Sequence, residues 1–141
     1  MSYLDTYGVA EARKERLIRR LILSVLAFVI VGGSLYLWFK NYPEEQRVKE
    51  FLTLLERGDY SSAYVMWGCQ VEAPCPHYDY KSFLEDWGPT SSVGKVASYA
   101  LGRSRETGSG VIVSVTINGG KPLRLWVEKS NGVLGCAPSL L

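Results

Sequence analysis

Nineteen consecutive residues without a charge, Leu21 to Phe39, constrain this chain more than any other feature. As a helix rising ~1.5 Å per residue they cover roughly 28 Å, about the hydrocarbon thickness of a bilayer. A helix buried in a soluble domain rarely lacks a polar face over that length. A secretory signal has a shorter apolar run followed by a small-residue cleavage site. Here Gly32, Gly33 and Ser34 lie inside the run, and five further apolar residues follow them. The stretch therefore reads as an uncleaved single-pass anchor, assigned to 17–40. It leaves 1–16 as a basic cytoplasmic tail and 41–141 as one extracytoplasmic domain.

The flanks give the expected orientation. Arg13, Lys14, Arg16, Arg19 and Arg20 precede the span, whereas Lys40, Arg47 and Lys49 follow it. Lys and Arg near a span favour the cytoplasmic side, which puts the N-terminus inside. Tyr36, Trp38, Phe39 and Tyr42 gather at the outer end, where aromatic rings suit the headgroup level. No Asp, Glu, Lys, Arg or His lies within Leu21–Phe39, which speaks against an ion or proton path through it. Gly32 and Gly33 are the candidate notch for packing against another helix, since small residues let backbones approach in lipid.

Residues 40–141 carry eleven basic and eleven acidic side chains. This balance argues against nucleic acid, whose phosphates call for a concentrated basic face. The three cysteines, Cys69, Cys75 and Cys136, all follow the span, so an oxidising compartment would permit a disulfide. Cys69 and Cys75 are the expected pair, because Pro74 and Pro76 constrain the short loop between them. Pairing of Cys136 with either of them, or with another chain, stays open.

Beyond the span the apolar period is first helical. Val48, Phe51, Leu52 and Leu55 recur at helical spacing after Pro43, and Gly58 is placed to end that helix. Asp59 suits the N-cap of a second helix with Tyr60, Ala63, Tyr64 and Trp67 on one face. Residues 69–78 hold two prolines and form a loop. Asp79 caps a third helix carrying Tyr80, Phe83, Leu84 and Trp87, stopped by Gly88-Pro89. The period then becomes two. Residues 92–103 are strand-like, 106–110 read as a turn, and Val111, Val113, Val115 and Ile117 alternate along a half-buried strand. Asn118-Gly119-Gly120 signals a hairpin into a strand holding Leu123, Leu125 and Val127, and 133–137 supply a short last strand. Three helices followed by an antiparallel meander define an α+β fold.

The run FLTLLERGDYSSAYVMW, Phe51–Trp67, resembles the first two helices of NTF2-like, cystatin-type α+β domains, and the resemblance extends over roughly 43–138. It implies three helices packed on a curved antiparallel meander. It also implies one of several roles: ketosteroid-isomerase-like enzyme, small-ligand binder, or accessory domain of a membrane-anchored bacterial protein. The enzymes of that family use an Asp base and a Tyr or Asp donor inside the cone of the sheet. No such set maps onto this chain, where the alternate positions of Val111–Ile117 are apolar and suggest a filled cone.

Other chemistry is weakly signalled. Cys69, Cys75, His77 and Cys136 make a Cys3His set on paper, but their spacing is Cx5C and CxH rather than the close pairs of structural zinc. A redox role for Cys69 and Cys75 would require a readily reduced bond. Neither a catalytic residue, a metal nor a cofactor is expected. Arg124 and Trp126 point away from Leu125 and Val127 and are the candidate partner-binding residues, since exposed Trp and Arg anchor interfaces. The expectation is a non-enzymatic protein of the bacterial inner membrane. Its outer domain binds a protein partner as an accessory subunit, with a ligand-binding or lyase-type cone pocket as the alternative.

Overall fold

The structure is a computed structural model that describes residues 3–137, with side chains described from residue 8. The outermost ends of the expected tail and outer domain thus lie outside the described residues. The chain divides into two compact units, Met1–Lys40 and Asn41–Leu141.

The first unit is one helix, α1 (Tyr3–Phe39). It takes in the basic cluster as well as the apolar stretch, so the expected tail is helical from Tyr3 onward. Its most apolar eighteen-residue window has a mean hydropathy of 2.3, and none of that window is buried. Leu21, Phe28 and Trp38 are among the large side chains it exposes. One helix is therefore long and apolar enough to cross a membrane.

The second unit is α+β. Its elements are α2 (Tyr42–Glu56), α3 (Tyr60–Val65), α4 (Tyr80–Trp87), β1 (Tyr99–Thr107), β2 (Gly110–Ile117), β3 (Pro122–Glu128) and β4 (Leu134–Cys136). Local chemistry explains the helix limits. Pro43 sits in the first turn of α2, with Glu44 and Glu45 beside it where the helix dipole favours negative charge. At the other end Asp59 N–H donates to Leu54 O and Gly58 N–H to Leu55 O. That paired closure needs a left-handed residue between, and Gly58 supplies φ +75°. Asp59 and Asp79 then cap α3 and α4, each accepting from a backbone N–H three residues on, Ser62 and Ser82. Helix α3 is shorter than the sequence pattern suggests: it stops at Val65, and Trp67 stands in the turn closed by Gly68.

The strands form one antiparallel sheet in the order β1-β2-β3-β4. Its inner face presents Val111, Val113, Val115, Ile117, Leu125, Val127 and Leu134 to Val48, Phe51, Leu52 and Leu55 of α2. Ala63 and Tyr64 of α3 and Phe83 and Trp87 of α4 complete the same core. Phe51 meets Trp87 edge to face at a centroid distance of 5.1 Å, a favoured aromatic geometry. The β1–β2 turn is tighter than expected: β1 runs through Thr107, and Gly108 and Ser109 alone connect it to β2.

Strand β1 carries an irregularity that places the site described below. Leu101 pairs with Val115 and Ser104 with Val113, so Gly102 and Arg103 together oppose Ser114. This is a β-bulge, which shifts the side-chain alternation by one residue. Without it, Arg103 and Arg105 would share the parity of Leu101 and face the core. With it, both are exposed, and Ser104 turns inward to hydrogen-bond Asn41 and Glu45.

Candidate functional site

The sheet face away from the core carries a group of polar side chains around Ile112. Arg105, Ile112 and Trp126 are register neighbours on β1, β2 and β3, and Ser114 and Arg124 form the next row. Arg103, Ser104, Arg105, Thr107, Ile112, Ser114 and Arg124 line a groove of about 510 Å³ there. Ile112 is only 8% exposed although it lies outside the main core cluster. Three arginines thus surround one buried isoleucine on this face. Among the described residues none of the three forms an ion pair, whereas Arg47 reaches Glu50 and Lys129 reaches Glu106.

The two partner-binding residues read from the sequence part company here. Arg124 is exposed on the groove. Trp126 is half-buried, and its ring covers Gly110, where a Cβ would come within 2.5 Å of both the indole and the Val127 carbonyl oxygen. Arg103, Arg105, Ile112 and Ser114 were not marked by the sequence. Simple alternation along β1 gives the wrong parity for its arginines, and only the bulge corrects it. A signal does exist in hindsight: a glycine inside a strand, as at Gly102, often marks a bulge.

Gly32 and Gly33 lie within α1 with open space where their Cβ atoms would be. Cys69 and Cys75 are joined by a disulfide, with Cα atoms 5.3 Å apart. Its loop is tied down by Tyr64, whose hydroxyl donates to Tyr78 O and accepts from Cys75 N–H. His77 is exposed in that loop. No group of three or more metal-ligating side chains occurs among the described residues.

Cys136 is the free thiol and is exposed at the residue level. Partial burial of the thiol, and secondarily the Asp86 carboxylate, push its pKa up, which disfavours the thiolate. Tyr78 donates to Asp86 at 2.8 Å. Burial first, and then Asp86, keep its phenol protonated. Both groups are thus held neutral, the opposite of what a nucleophile needs.

The arrangement belongs to a class: a small α+β domain, one sheet face packed under helices and the other left as an arginine-lined groove, in a chain that also has one long apolar helix. Comparison with family models, curated proteins and solved structures gives no match to this chain.

Proposed function

We propose that this is a single-pass membrane protein whose NTF2-like outer domain binds a protein partner as a non-enzymatic accessory subunit of a membrane complex. The carrying observation is the sheet face away from the core, where Arg124 and two further arginines border a groove beside Ile112. Arginine is enriched at protein interfaces, and among the described residues none of these three has an ion-pair partner.

The anchor reading rests on α1, whose most apolar stretch is unburied. The orientation with the N-terminus in the cytoplasm rests on the five basic residues just before the span. An oxidising outer compartment accords with the Cys69–Cys75 disulfide. The inner strand face supports a binding role over cone chemistry, since Val111, Val113 and Val115 are fully buried against the helices. Tethering confines the domain to the membrane surface and so raises its effective concentration toward a partner there.

Gentle-detergent extraction from native membranes, followed by sizing and mass spectrometry, tests the reading. A defined complex larger than the 15.7 kDa chain is the expected result. A lone chain free of any partner sinks it.

A further inference from the structure

Charge is unevenly divided within the second unit. From residue 91 onward there are six basic side chains (Lys95, Arg103, Arg105, Lys121, Arg124 and Lys129) and only two acidic ones, Glu106 and Glu128. Both acids are engaged, Glu106 by Lys129 and Glu128 by the Ser109 hydroxyl. The formal neutrality of the whole domain therefore hides a sheet face whose three groove arginines lack an acidic partner among the described residues. Guanidinium groups match carboxylates, which they bind as a planar fork.

The register supplies a spacing. Neighbouring strands lie ~4.8 Å apart and alternate residues ~6.8 Å apart. Arg105 and Arg124 are two strands and one alternate step from each other. Their Cα atoms are thus separated by about 12 Å on the diagonal, with Ile112 and Ser114 between. An extended segment places residues four apart about 13 Å from each other, with the residue between them on the same side.

We infer that the groove takes an extended acidic segment of a partner protein, read as two carboxylates four residues apart. The carboxylates meet Arg105 and Arg124, and Arg103 adds charge at the bulge. This rests on the protein-partner reading above and names the chemistry of that partner. A lipid headgroup would offer the arginines a phosphate and is the competing occupant in the test below.

The test uses the full chain in nonionic micelles and a dye-labelled peptide, Glu-Thr-Leu-Thr-Glu, read by fluorescence anisotropy. The matching Gln-Thr-Leu-Thr-Gln peptide is the control. At low salt the Glu peptide is expected to bind at least about tenfold tighter, with the difference shrinking as salt screens the charges. The R103Q/R105Q/R124Q chain is expected to bind both peptides at the level of the control. Equal binding of the two peptides by the natural chain, or an undiminished preference in the triple variant, overturns the inference. So does loss of Glu-peptide binding when the chain sits in nanodiscs of phosphatidylglycerol rather than phosphatidylcholine, which would assign the groove to headgroups. Extraction from native membranes separates the two levels of the reading. A complex lost in the triple variant supports the groove. A complex retained overturns the groove and leaves the partner standing, and its absence with the natural chain removes the partner itself.

Discussion

At the residue scale, Asn118 shows how one side chain closes a fold. It has φ 52°, and with Gly119 at φ 68° it turns β2 toward β3. Its Oδ1 accepts from the backbone N–H groups of Ala97 and Ser98, and its Nδ2 donates to Lys95 O. The irregular segment before β1 is thereby fastened to the far end of the hairpin. Asn118→Gly keeps the left-handed backbone and removes only those bonds. It is expected to lower stability by roughly 1–3 kcal/mol in urea denaturation, despite glycine's suitability for the turn. An unchanged urea midpoint would show that water replaces the side chain at no loss. Asn118-Gly119 was legible in the sequence as a hairpin signal. Its bonds to Lys95, Ala97 and Ser98 were not, because they join residues about twenty positions apart.

At the element scale, helix caps and the strand bulge make separate predictions. Hydrogen bonding from Ser62, hydroxyl and backbone N–H, holds the Asp59 carboxylate below its usual 3.8, and Ser82 does the same for Asp79. A folded pKa below the unfolded one means the carboxylates contribute stability above about pH 3.8, and that contribution is lost as pH falls through the folded values. Asn at both positions can still cap but does not titrate. The D59N/D79N chain should therefore show a shallower acid limb in a plot of unfolding midpoint against pH. A limb identical to that of the natural chain would count against the caps as its source. The bulge is the second case. Deleting Gly102 removes the extra residue, so Arg103 alone opposes Ser114, Arg105 stays opposite Ile112, and both arginines keep the outer face. The deletion is therefore expected to preserve cooperative thermal unfolding. Loss of cooperative unfolding would show that the bulge itself, and not only the face its arginines occupy, is required by the sheet. The helix limits at Gly58, Asp59 and Asp79 could be read from local residues because caps act within one turn. The bulge could not, since two-against-one pairing exists only once β2 is alongside.

At the scale of the whole molecule, the expected topology is open to a direct reading through Cys136. With Cys69 and Cys75 joined, Cys136 is the thiol left to report. A membrane-impermeant maleimide applied to intact cells should label it if the second unit lies outside. Because the thiolate is the reacting form, labelling is faster at pH 8 than at pH 7, and the raised pKa slows it at both. Cys136→Ser should abolish labelling. Labelling seen only after the cells are broken would reverse the orientation read from the basic residues before Leu21.

Much of this protein is written in short-range pattern. The apolar run Leu21–Phe39 determined a helix long enough to span a bilayer, because length and lack of charge are properties of consecutive residues. Periods of 3.6 and then two determined three helices followed by a meander, and Pro74 and Pro76 marked the loop that the Cys69–Cys75 bond closes. Tertiary structure decided which face of β1 its arginines occupy, that they join Arg124 around Ile112, and that Trp126 lies on Gly110 rather than standing free. Those features depend on strand register and on a single extra residue in β1. A one-residue shift moves every side chain to the opposite face, and no local preference of Gly102 or Arg103 encodes that outcome.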